Sequence, residues 1–132
     1  MVQAKDVMTT RLMTIRPQTK IIEVIKLMVD HSVTGLPVVN DDMDLLGMVT
    51  EKDILEILLY EKNIKRLTAS DLMTTEITSF SEDDDLIAIL KSLVENNFRR
   101  VPILSNGALV GIISRRDIMN FLSAKVGEFK KS

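Results

Sequence analysis

The chain has 132 residues, 45% hydrophobic and 27% charged, with a formal net charge of −2 and no cysteine. These values describe one globular domain and exclude an extended disordered chain. They also exclude a broad basic field for nucleic acid or anionic lipid, a disulfide framework and a thiolate metal site. The first residues lack the apolar core of a signal peptide, and no apolar run reaches the roughly 18 residues of a membrane span, so a soluble cytoplasmic protein is expected.

In chain order, Leu12-Met13-Thr14-Ile15 reads as a short apolar strand, interrupted by Pro17. Thr19 is the expected N-cap of a helix whose buried face is Ile21, Ile22, Val24, Ile25, Met28 and Val29. That helix should end near Asp30-His31-Ser32. Leu36-Pro37-Val38-Val39 and Leu45-Leu46-Gly47-Met48-Val49 flank the polar turn Asn40–Asp44, a hairpin signal. Ile54, Leu55, Ile57, Leu58 and Leu59 make the next helix apolar almost all round. Residues Glu61 to Thr68 read as a charged linker.

The same order then returns. Ile77-Thr78-Ser79-Phe80 is the strand, Asp84 the expected cap, and Leu86, Ile87, Ile89, Leu90, Leu93 and Val94 the helix face. Ser105-Asn106-Gly107 is the hairpin turn, where glycine allows a positive φ. Ile118, Met119, Phe121 and Leu122 crowd the last helix, and a frayed tail is expected from Gly127. Pro37 and Pro102 cannot donate to a ladder, so their strands should be edges or pair on one side only at those points. The two last helices carry more apolar surface than one dry face needs, which predicts a second buried surface and a symmetric homodimer.

The return is residue by residue. Asp6-Val7-Met8-Thr9 matches Asp71-Leu72-Met73-Thr74, and Gly35-Leu36-Pro37-Val38-Val39 matches Arg100-Val101-Pro102-Ile103-Leu104, both at an offset of 65 (71 − 6 and 100 − 35). Gly47-Met48-Val49-Thr50-Glu51-Lys52-Asp53-Ile54 matches Gly111-Ile112-Ile113-Ser114-Arg115-Arg116-Asp117-Ile118 at an offset of 64 (111 − 47). The expected organisation is two half-domains, residues 1–65 and 66–132, each a β-α-β-β-α repeat in an α+β fold, burying apolar faces against each other.

The element with chemical content is Gly47-x-x-Thr50-x-x-Asp53 and its partner Gly111-x-x-Ser114-x-x-Asp117. Each hydroxyl stands where a strand ends and a helix begins, with the carboxylate in the first helical turn. Alone, this is a capping box. The same geometry suits a mononucleotide: a helix N-terminus attracts phosphate, and an acceptor-only carboxylate takes ribose hydroxyls. The lone His31 sits at a helix C-terminus without partners at metal-ligand spacing, and the run Ser81-Glu82-Asp83-Asp84-Asp85 opens a helix, so no metal site is expected. The eight methionines read as core filler. The pairs Arg99-Arg100, Arg115-Arg116 and Lys130-Lys131 lack the aromatic interleaving of a nucleic-acid surface.

Taken together, these motifs resemble a tandem pair of CBS domains, the Bateman module named for cystathionine β-synthase, over nearly the whole chain. The resemblance implies a pair packed about a pseudo-two-fold axis with two clefts that bind adenine nucleotides or S-adenosylmethionine relatives. Carried across, one site combines Thr50 and Asp53 with Thr78, Arg99 and Arg100. The other combines Ser114, Arg115, Arg116 and Asp117 with Met13, Thr14, Thr34 and Gly35. Gly35 leaves room and the arginine pair adds charge, which favours the second site for the adenosine moiety.

The expected function is a non-enzymatic regulatory, energy-sensing module that requires no cofactor. With no further domain in the sequence, it would signal to a separate, unidentified regulated protein and involve neither nucleic acid nor membrane. The alternative is a structural dimerisation or interaction module without a ligand. An enzyme is disfavoured, because the sequence has no nucleophile–base pair, glycine-rich phosphate loop or metal cluster.

Overall fold

The computed structural model describes the backbone of residues 1–131 and the side chains of residues 1–125. In chain order it contains α1 (Ala4–Val7), α2 (Ile21–Asp30), β1 (Gly35–Val39), β2 (Leu45–Thr50) and α3 (Glu51–Leu58). A 3-10 turn (Ile64–Arg66), α4 (Ala69–Leu72), β3 (Phe80–Ser81), α5 (Leu86–Glu95), β4 (Arg100–Ser105), β5 (Ala108–Ser114) and α6 (Arg115–Lys131) follow. The frayed tail expected from Gly127 is instead helical in its backbone as far as Lys131, with its side chains outside the described residues.

Two compact units result, and their limits differ from those of the repeats. One is residues 13–77; the other joins residues 1–12 to 78–132. Each unit therefore contains the hairpin and helices of one repeat and the Asp-x-Met-Thr leader of the other.

In the unit of residues 13–77, β1 and β2 pair antiparallel with a bulge at Val38/Val39. The strand expected at Leu12–Ile15 contracts to one parallel bridge between Ile15 and Val38, with Ile15 N–H donating to the Pro37 carbonyl at 3.0 Å. In the second unit, β3 pairs parallel with β4, and β4 antiparallel with β5, again with a bulge, at Ile103/Leu104. The strand expected at Ile77–Phe80 starts three residues later. β4 is thus a middle strand, but β3 reaches it only at Ile103 and Leu104, so Pro102 faces Ile112 alone. The turn between β4 and β5 places Asn106 and Gly107 at φ 51° and 84°, the pattern of a tight hairpin.

The two expected helix caps are each displaced by one residue. The N-caps are Lys20 and Asp85. Thr19 Oγ1 instead accepts from Arg16 N–H at 3.0 Å, and Asp84 Oδ2 from Ser81 N–H at 2.8 Å. Both side chains close the turn ahead of the helix, which removes them from capping. The buried faces are also narrower than expected. Ile21, Val24 and Met28 are buried, as are Leu86, Ile89 and Leu93, whereas Ile22, Val29, Ile87 and Val94 are exposed. Each exposed residue follows a buried one and is rotated by about 100° away from the core. On the last helices Ile54 and Ile118 are buried, and Leu55, Leu58, Leu59, Met119 and Leu122 are exposed.

Each unit has its own core. Ile15, Ile21, Val24, Met28, Leu36, Val38, Val49, Ile54 and Ala69 form one. Ala4, Leu86, Ile89, Leu93, Val101, Ile103, Ile113 and Ile118 form the other. Ala4 and Ala69, both fully buried, belong to the leader helices, so the exchanged segments are part of the cores. The Asp-rich run is likewise structural: Asp83 lies 3.1 Å from Lys5 Nζ and raises that ammonium above its ordinary pKa, and Asp85 caps α5.

The leader explains the repeated glycine. Met8 lies over Gly111, and a Cβ at Gly111 would collide with its Cγ and Sδ. At Gly47 a Cβ would stand 2.8 Å from Met73 Sδ and 3.0 Å from the Thr74 carbonyl oxygen. Gly47→Ala should destabilise the chain by roughly 1–3 kcal/mol in urea denaturation, the usual result of overpacking. Met73→Ala in the same protein should not restore full stability, because the Thr74 carbonyl remains.

Candidate functional site

Both candidate motifs form capping boxes. Thr50 N–H and Oγ1–H donate to Asp53 Oδ2 at 2.8 and 2.9 Å, and Asp53 N–H returns a bond to Thr50 Oγ1 at 3.3 Å. Ser114 N–H and Oγ–H reach Asp117 Oδ2 at 2.8 and 2.9 Å, and Asp117 N–H returns to Ser114 Oγ at 3.1 Å. The first amide of each helix is also engaged. Glu51 N–H donates to the Thr34 carbonyl at 3.0 Å, and Arg115 N–H to the Arg99 carbonyl at 3.2 Å. The helix starts are therefore partly saturated before any anion approaches.

Two residues not assigned a role from sequence complete this arrangement. Thr9 Oγ1–H donates to Asp117 Oδ1 at 2.7 Å, and Thr74 Oγ1–H to Asp53 Oδ1 at 3.1 Å. Each threonine ends an Asp-x-Met-Thr leader, and its backbone bridges the hairpin edge. Thr9 pairs with Ile112, and Thr74 with Met48, through reciprocal amide bonds of 2.9–3.1 Å. The aspartates that open the leaders act locally, since Asp6 and Asp71 close the capping boxes of α1 and α4. The available signal for the threonines was their recurrence in both leaders.

The other candidates divide between the units as follows. Gly35 is buried and paired with Thr50, with Thr34 beside it; Met13 and Thr14 are half-buried in the same unit. Arg100 pairs with Ser114, Arg99 and Thr78 are exposed, and all belong to the unit of Asp117. Arg115 is committed to the end of α5: Nε donates to the Phe98 carbonyl at 2.8 Å, and Nη2 to Asn97 Oδ1 at 2.9 Å and the Leu93 carbonyl at 3.4 Å. Arg116 is exposed. A groove of about 550 Å³ lined by Lys20, Ile22, Glu23, Lys26 and Lys65 contains none of the candidate residues. Among the described residues no His, Cys, Asp and Glu side chains gather as a metal site, and no helix is long and apolar enough to cross a membrane.

Two small α+β units, each with a hydroxyl–carboxylate pair at the strand-to-helix junction, define a duplicated module. The CBS domain model matches residues 4–60 and 69–124, and the chain belongs to that family as a tandem pair. It is 30% identical over 120 residues to an uncharacterized protein of Methanocaldococcus jannaschii, a match covering 91% of this chain and 42% of that relative. A Vibrio cholerae protein ascribed to acetoin utilization, AcuB, superposes with a TM-score of 0.93 at 21% identity, covering 100% of this chain and 98% of that one. CBSX2, solved in complex with AMP, superposes with a TM-score of 0.82 at 30% identity, covering 95% of this chain and 99% of that one.

Removing the Arg115 side chain strips three acceptors at the α5 C-terminus of their donor. Arg115→Ala should therefore lower stability by about 1 kcal/mol or more in urea denaturation, whereas Arg116→Ala should change it by less than about 0.5 kcal/mol.

Proposed function

We propose that this CBS pair is a non-enzymatic regulatory module that binds an adenosine-containing ligand, an adenine nucleotide or S-adenosylmethionine relative. Occupancy is passed to a separate partner protein. The observation that carries the reading is the pair of carboxylates, Asp53 and Asp117, each placed by a capping box at the mouth of a helix N-terminus. There a ribose hydroxyl finds an anionic acceptor and a phosphate finds the positive end of the helix. The AMP complex of CBSX2, at 30% identity, supports the ligand class. In this reading Thr78, Arg99 and Arg100 serve the Thr50–Asp53 site, and Met13, Thr14, Thr34 and Gly35 the Ser114–Asp117 site. Arg116 is the better phosphate partner of its pair, because Arg115 holds the α5 turn.

AMP, ADP, ATP, S-adenosylmethionine and methylthioadenosine tested by thermal denaturation discriminate this reading from a module without a ligand. A compound present at about 100 times its dissociation constant stabilises by roughly 2.7 kcal/mol, several degrees at this size. Asp53→Ala and Asp117→Ala should each remove one binding event. A double variant that binds like the parent would refute the assigned roles.

A second reading, a dimerisation module, is favoured by Leu55, Leu58, Leu59, Met119 and Leu122, all exposed on the last helices. The two readings are compatible, and a homodimer burying these helices is part of the proposal. Light scattering at micromolar concentration should give twice the chain mass of 14.9 kDa, and Leu55→Glu with Met119→Glu should give the monomer.

A further inference from the structure

The carboxylate of Asp117 is nearly fully used. A carboxylate offers about four acceptor positions. Ser114 N–H and Oγ–H take two on Oδ2, and Thr9 Oγ1–H takes one on Oδ1. Asp53 repeats the pattern with Thr50 and Thr74. A ribose diol brings two O–H donors to a group with about one vacant position. To accept both, the carboxylate must release a protein donor.

The donors are not equally easy to release. Those on Oδ2 belong to the capping box, whose loss costs the helix about 1 kcal/mol. The threonine hydroxyl has no such role. Thr9 and Thr74 are exposed, and their leaders stay docked through the backbone bridges and through Met8 and Met73. A hydroxyl released there turns to water.

We infer that the hydroxyls of Thr9 and Thr74 stand in for a ribose hydroxyl on Asp117 and Asp53 and give way when a ligand binds. The inference rests on the carboxylates being ribose acceptors. The leader of one repeat then sets the affinity at the carboxylate of the other. The effect is larger at Asp117, because the Thr9 bond is the shorter, at 2.7 Å against 3.1 Å.

The test replaces the hydroxyl and keeps the shape. In an Asp53→Ala protein, which leaves Asp117 as the remaining acceptor, calorimetric titrations with adenosine, AMP and S-adenosylmethionine are compared for Thr9, Thr9→Val and Thr9→Ser. Thr9→Val should tighten binding roughly three- to tenfold, the equivalent of one hydrogen bond that no longer has to be broken. Thr9→Ser, which keeps the donor, should bind like the parent. In the mirror pair, Asp117→Ala with Thr74→Val, the gain should be smaller. Equal or weaker binding in Thr9→Val, measured well below the melting temperature of the variant, marks a purely structural threonine and overturns the inference while leaving ribose binding intact. If the wild-type chain binds none of the three compounds, ribose recognition fails, and this inference fails with it.

Discussion

The docking of each leader on the hairpin of the other repeat fixes most of either unit. Met8 fills the space that Gly111 leaves, and Met73 does the same at Gly47. The next residue then extends the hairpin by one bridge, which brings a threonine hydroxyl to the carboxylate at the start of the last helix. One contact thus accounts for the glycine, the methionine, the threonine and the orientation of the aspartate. It also closes the cores, because Ala4 and Ala69 are buried only where the leader helices lie.

The cap and the candidate binding group are one object with two sides. Oδ2 is bound to the protein's own backbone and hydroxyl and holds the helix start. Oδ1 faces the leader, accepts from its threonine hydroxyl and takes no part in the cap. A single aspartate can therefore serve stability and recognition together, which is why a capping box and a nucleotide contact look alike in sequence. The arginines divide in a similar way: Arg115 secures a turn of its own unit, and Arg116 remains at the surface.

The duplication, both hairpins, both principal helices and the two hydroxyl–carboxylate pairs were legible in the sequence because each has a local cause: apolar periodicity, turn residues or cap spacing. Features set by choices between neighbours were not. Thr19 and Asp84 are good capping residues, but turn amides three residues earlier, those of Arg16 and Ser81, hold them instead. Ile22 and Val29 share the apolar character of Ile21 and Met28, and only the placement of the sheet decides which pair is covered. The exchange of leaders was hidden altogether, since a motif repeated at a fixed offset says nothing about which copy of the hairpin it meets. That is also why Thr9 and Thr74 had no assigned role.

The exchange of leaders bears on how such a chain came to be doubled. In this geometry a polypeptide holding one repeat would carry a docking segment whose receptor lies on a second molecule, and its own glycine groove would stand empty until that molecule arrived. Its folding would be a bimolecular reaction, dependent on dilution. Joining two copies through the stretch Glu61 to Thr68 turns the same contact into an event within one chain, at a fixed effective concentration. Once joined, the copies are free to differ without losing each other, and Thr34-Gly35 has diverged from Arg99-Arg100 while every leader residue that meets a groove has kept its chemistry.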